Sequence, residues 1–112
     1  MTSLKNSVHL IGRLGNDPVT TTFENGKVKA RFSLATSEVY RNNNGEKVEE
    51  TQWHNIVAWG KTAKVVTDYL KKGKEIALEG KLTNRSWEDN DGNKHYITEI
   101  IANQIYMLDR KN

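Results

Sequence analysis

Val28-Lys29-Ala30-Arg31-Phe32-Ser33-Leu34-Ala35-Thr36 is the stretch on which the fold turns. Val28, Ala30, Phe32, Leu34 and Thr36 alternate with Lys29, Arg31, Ser33 and Ala35, the period of two that gives a β-strand one buried and one wetter face. Asn25-Gly26 precedes this strand, Asn44-Gly45 follows it, and Asp91-Gly92 lies further on. Each dipeptide can supply the positive φ angles of a tight hairpin turn, and each sits between strand-like segments, so three hairpins are expected. Upstream, Ser7 to Leu14 reads as a strand in which Val8 and Leu10 alternate with His9. Gly12 within it predicts a bulge or a sharp bend, and Asn16-Asp17-Pro18 ends it.

Downstream, Val48 to Trp59, Glu75 to Trp87 and Tyr96 to Leu108 supply three further long strands. Thr62 to Leu70 intervenes, with Ala63, Val66, Tyr69 and Leu70 at helical spacing, Lys71 and Lys72 at its negative end and Gly73 as the expected stop. The fold class expected from this order is all-β, a five-stranded OB-fold barrel with one short helix between strands 3 and 4 and long extended hairpins. At 112 residues and 12.8 kDa, a single domain over 1–112 accounts for the chain.

Composition removes several classes of function. With no cysteine, a disulfide scaffold, a thiolate metal cluster and a cysteine nucleophile are excluded together. A mean hydropathy of -0.76 and the absence of any long apolar run exclude a helical membrane span. Met1-Thr2-Ser3-Leu4-Lys5-Asn6 has no apolar segment of the signal-peptide kind, so a cytoplasmic location is expected. A net charge of +3 permits a nucleic-acid partner without demanding one.

Catalytic machinery is hard to assemble from these residues. Gly60-Lys61-Thr62 ends like a phosphate-binding loop, but position 55 is Asn where such a loop needs glycine, so the tripeptide reads as a tight start to the helix. His9, His54 and His95 fall in three different elements without metal-ligand spacing. Glu49-Glu50 and Asp89-Asp91 read as solvated loop charges. No catalytic residue, metal or cofactor is expected.

The aromatics stand out. Trp53 and Trp59, six residues apart on one predicted strand, share a face with polar Asn55, whereas Ile56 and Ala58 lie opposite. That parity favours exposure of the tryptophans. Tyr40 opens the polar stretch that ends at Gly45, and Trp87 begins another polar hairpin next to Arg85. Exposed aromatics beside Arg and Lys can stack on unpaired bases while the cations meet phosphates.

At these residues the sequence resembles the bacterial single-stranded DNA-binding protein family. Val8-His9-Leu10-Ile11-Gly12-Arg13-Leu14-Gly15-Asn16-Asp17-Pro18 is similar to the family's first strand and turn, and Phe32-Ser33-Leu34-Ala35-Thr36-Ser37-Glu38 to its second strand. Thr51-Gln52-Trp53-His54, Trp59-Gly60-Lys61, Tyr69-Leu70-Lys71-Lys72-Gly73 and Glu79-Gly80-Lys81-Leu82 continue the match in order. The resemblance implies a homotetramer that binds single-stranded DNA without sequence preference, in replication, recombination and repair, near the bacterial nucleoid. It also implies stacking positions at Tyr40, Trp53, Trp59 and Trp87, phosphate contacts at Lys61, Lys72 and Arg85, and a subunit-interface position at His54. Thr83 and Ser86 stand where the family often has basic residues, which predicts a shallower salt dependence.

Family members usually continue into a flexible linker and an acidic tip that recruits replication and repair proteins. This chain ends at Asp109-Arg110-Lys111-Asn112, so tail-mediated recruitment is not expected of it. Two rivals remain at this level. One is a replication-restart accessory protein similar to primosomal replication protein N, binding protein partners as well as single strands. The other is a small-barrel nuclease using Glu88, Asp89 and Asp91 with a divalent metal, which is disfavoured because those acids flank a predicted loop and do not converge from rigid strands.

Overall fold

A computed structural model describes residues 4–108. The expectations placed on 1–3 and on 109–112, including that about the chain end, lie outside the described residues. After a 3-10 turn at Leu4–Asn6 come β1 (Val8–Leu14), β2 (Val19–Thr22), β3 (Val28–Arg41), β4 (Lys47–Trp59), α1 (Gly60–Tyr69), β5 (Glu75–Glu88) and β6 (Lys94–Met107). The strands run in the order β1-β5-β6-β4-β3-β2, and β1 also pairs with β3 at Arg13↔Ala35 and Leu14↔Leu34. That second pairing closes β1, β5, β6, β4 and β3 into the expected five-stranded barrel. The parallel contact of β4 with β6, at Ile56↔Ile100 and Val57↔Ile101, completes the ring.

The core follows the alternation. Ala30, Phe32 and Leu34 of β3 meet Ile56 and Ala58 of β4, Ile76 and Leu78 of β5 and Ile100 and Ala102 of β6. Ala63 and Val66 of α1, with Leu70 just beyond it, bring their side chains into the same cluster. Leu34, Ile56, Ile76 and Val66 are the largest fully buried side chains, each contributing roughly 1.5–3 kcal/mol through burial.

Several details differ from the sequence reading. A sixth strand, β2, lies along β3 from Val19↔Arg31 to Thr22↔Val28; all four of its residues are exposed, so no buried face announces it. β3 continues past Thr36 to Arg41, held there by its ladder to β4 and not by burial. Helix α1 begins at Gly60 and yields to extended backbone at Leu70, which turns its side chain into the core; Gly73 therefore sits in the following turn and is not the stop. At Gly12 the β1–β5 register is unbroken, and the glycine serves a close approach, since a Cβ there would fall on the Ala35 carbonyl. The bulge lies instead in β5, at Glu79/Gly80.

The three hairpin loops are alike, and none is a two-residue turn. Phe23 pairs with Lys27, Asn42 with Glu46 and Asp89 with Asn93, each pair flanking three loop residues, and the N–H of Gly26, Gly45 and Gly92 donates to the carbonyl of the first member. Within these three loops only the glycine takes positive φ, at 85°, 78° and 82°, so each loop is a type I turn closed by one left-handed residue.

Candidate nucleic-acid interface

From Lys29↔Trp59 to Arg41↔Lys47 the β3–β4 ladder runs without a bulge, so side-chain parity holds along its whole length. Its exterior face carries Lys29, Arg31, Ser33 and Ala35 opposite Trp59, Val57, Asn55 and Trp53. Through the Val57↔Ile101 pairing that face continues onto Ile101, Glu99, Ile97 and His95 of β6 and Thr83, Arg85 and Trp87 of β5. Trp53, Trp59 and Trp87 therefore stand on one exterior surface, 63%, 41% and 46% exposed, as the parity of Asn55 against Ile56 and Ala58 predicts for the first two and the polar hairpin for the third. A groove of about 330 Å³ crosses this surface, with Arg31, Ser33, Asn55, Val57, Ile97 and Glu99 among its lining residues.

Each tryptophan has a different setting. The ring of Trp53 lies over Gly15, where a Cβ would press on it and on Ser33 Oγ, so the glycine lets the ring settle against the backbone. Trp59 stacks on Phe23, ring centroids 6.0 Å apart and planes 22° apart, with Lys29 Nζ 5.4 Å from its centroid. Trp87 stacks on its cross-strand partner His95 at 5.3 Å, and the Arg85 guanidinium carbon lies 5.7 Å from its centroid.

Tyr40 is brought to a different place. It is a strand residue of β3, 45% exposed, and it pairs with Val48, so its parity is that of Phe32 and Leu34. It thus occupies the reverse face of the β3–β4 arm from Trp53 and Trp59. A two-residue Asn44-Gly45 turn would have slipped the register by one and set Tyr40 on the tryptophan face; the three-residue loop decides otherwise.

The cations divide as well. Lys61 is exposed on the first turn of α1, two residues beyond Trp59. Lys72 is exposed in the turn after α1, where its backbone N–H donates to Asp17 Oδ1 at 2.9 Å. Neither lysine lines the groove. Arg85 reaches toward it, but its Nε and Nη2 donate to Oε1 and Oε2 of Glu99, both at 3.2 Å. His54 is half-buried, with Nε2 2.9 Å from Thr36 Oγ1, on the face opposite the tryptophans.

The sequence reading missed Phe23, His95 and Glu99 as parts of this surface, and gave Lys29 and Arg31 only as the wetter side of a strand. Their roles depend on which residues stand opposite them. The acids offered to the nuclease reading are differently engaged. Asp89 Oδ1 accepts the N–H of Asp91 and Asn93, and Asp89 Oδ2 meets His95 Nε2 at 2.8 Å. These bonds, that from His95 first, hold the Asp89 carboxyl below its usual range. Glu49 and Glu50 are exposed strand residues of β4, not loop charges.

Residues 5–108 match the Single-strand binding protein family. The chain belongs to that family. Among curated members of the single-strand binding protein family, it is 47% identical to single-stranded DNA-binding protein 1 of Chlorobaculum tepidum, over 96% of this chain and 67% of that protein. It is 43% identical to the single-stranded DNA-binding protein of Neisseria meningitidis serogroup A, over 96% of this chain and 62% of that one. Its fold is similar to that of the Plasmodium falciparum SSB in complex with ssDNA, with a TM-score of 0.86 and 36% identity over 97% of this chain and 98% of the other. A deletion mutant of the Thermus aquaticus single-stranded DNA-binding protein superposes with a TM-score of 0.81 and 29% identity, over 93% of this chain and 50% of that one.

Proposed function

We propose that this chain, as one domain over 1–112, binds and protects single-stranded DNA without reading its sequence, in replication, recombination and repair. No reaction is catalysed. Bases stack on Trp53, Trp59 and Trp87, and on Tyr40 once the strand turns over the β3–β4 arm; Lys61, Lys72 and Arg85 meet phosphates. The observation that carries the reading is the gathering of all three tryptophans, each with a large exposed area, on one grooved surface beside Lys29, Arg31 and Arg85. Aromatic rings left in water at a cost in hydrophobic free energy need a ligand with π-faces, and cations around them suit one with phosphates.

The working unit in this reading is a homotetramer in the bacterial cytoplasm, with His54 at a contact between subunits. Ile11, Ala77 and Tyr106 align across β1, β5 and β6 on the barrel exterior, and Ile11 and Tyr106 are 63% and 55% exposed, an apolar strip suited to another copy. β1 pairs with β3 at Arg13 and Leu14 alone, which leaves the edge from Val8 to Gly12 for a second chain.

Titration of tryptophan fluorescence with poly(dT), against duplex DNA at equal nucleotide concentration, tests the proposal on a sample whose mass by light scattering is that of four chains. Strong quenching by poly(dT) alone is expected, with log K falling by about 0.7 per neutralised phosphate as log salt rises. Unchanged fluorescence, or equal quenching by duplex, would refute it, and a monomeric mass would refute the assembly.

A further inference from the structure

We infer that Glu99 is a positioning residue for strand binding: it fixes the Arg85 guanidinium at the groove beside Trp87, so that the remaining N–H donors of Arg85 meet one phosphate. The inference rests on the function proposed above and assigns Glu99 a part in it.

Glu99 is 6% exposed and lines the groove on a surface otherwise rich in cations. A carboxylate so deeply placed needs a partner, and Arg85 supplies it from a diagonal position, since Arg85 pairs with Ile97 while Thr83 pairs with Glu99. The contact is a fork, Nε to Oε1 and Nη2 to Oε2, with the Glu99 side chain 8% exposed and that of Arg85 50% exposed. One end of the pair is thus sunk in the surface while the other faces outward. Of the five N–H donors of a guanidinium, about three remain free of this fork, on Nη1 and Nη2. The guanidinium carbon is also held 5.7 Å from the Trp87 centroid, which sets the cation next to a stacked base.

Coulomb's law by itself assigns Glu99 the opposite effect. A negative charge in a groove that receives a polyanion weakens binding, so neutralising it should tighten the complex. Positioning predicts a loss. The sign of the change in Glu99→Gln therefore separates the two.

The experiment compares wild type, Glu99→Gln, Arg85→Lys and the double variant by poly(dT) titration over a range of salt. Their folding is checked by near-ultraviolet circular dichroism, and the Arg85 Nε–H proton resonance is followed without DNA. Glu99→Gln is expected to lose the slow exchange of that proton and to bind about tenfold more weakly, the worth of one charge-assisted hydrogen bond. Its salt slope should fall by about 0.7 as one phosphate contact is given up. Arg85→Lys keeps both charges but loses the fork; it should weaken binding similarly, and the double variant should be no worse than either. If Glu99→Gln fails to fold, Arg85→Lys carries the comparison, and wild-type affinity in it overturns the inference. Binding by folded Glu99→Gln that equals or exceeds wild type, with an undiminished slope, overturns it while leaving the proposed function intact. A wild type that ignores poly(dT) overturns both, whatever the proton resonance reports.

Discussion

Asn42 closes the β3–β4 hairpin and Asp89 closes the β5–β6 hairpin, and the two loops share one hydrogen-bond pattern. Asn42 Oδ1 accepts the N–H of Asn44 and Glu46, both at 3.0 Å; Asp89 Oδ1 accepts the N–H of Asp91 and Asn93, both at 2.9 Å. Their geometry therefore needs an acceptor oxygen and not a charge. What the carboxylate adds is its second oxygen, which holds His95, whose ring stacks on Trp87. In the β5–β6 arm the loop is thus wired to an aromatic on the grooved surface. In the β3–β4 arm the loop sets only register, and that register sends Tyr40 to the reverse face.

The largest effect that can break this contrast concerns the two faces of the β3–β4 arm. Trp53→Ala should cost about 1–3 kcal/mol on a thymidine oligomer of about eight nucleotides, whereas Tyr40→Ala should leave that short complex unchanged and weaken only strands long enough to turn over the arm. Equal losses on the short oligomer would mean that both rings share one path. A smaller effect tests the likeness of the loops. Gly45→Ala and Gly92→Ala should each lower stability by about 1 kcal/mol at neutral pH, read from urea midpoints, because each glycine holds a left-handed conformation. A marked inequality would show that the loops are not equivalent.

The smallest effect is one of pH, and it should separate the arms. The folded state lowers the Asp89 pKa, so the stabilisation its carboxylate supplies is complete above the ordinary value of 3.8 and is lost as pH falls through the lower folded value. Between about pH 5 and pH 2, side-chain nuclear Overhauser contacts should report the His95 ring loosening from Trp87, while the backbone at Asn44–Glu46 stays unchanged. Asp89→Asn, which retains the loop acceptor, should abolish the difference.

Much of the barrel was legible in the chain because burial writes itself as alternation. Ala30, Phe32 and Leu34, and Ile56 and Ala58, could be assigned to a core face by parity alone, and the same parity exposed Trp53 and Trp59. Segments held by ladder hydrogen bonds were silent, since backbone groups bond in the same way whatever the side chain. Hence β2 was not foreseen, and the alternation did not by itself carry β3 past Thr36 to Arg41.

The sequence by itself determined the apolar periods, the glycines that turn the chain and the presence of exposed aromatics beside cations, all of which depend on residues near one another along the chain. Only the tertiary structure decided which of them meet. A loop of three residues in place of two, invisible in Asn44-Gly45, put Tyr40 behind the arm, because one step of register exchanges the faces of a strand. The β5–β6 ladder set Glu99 against Arg85, and the joining of β4 to β6 brought that pair onto the surface of Trp53, because side chains distant in sequence become neighbours only when the barrel closes.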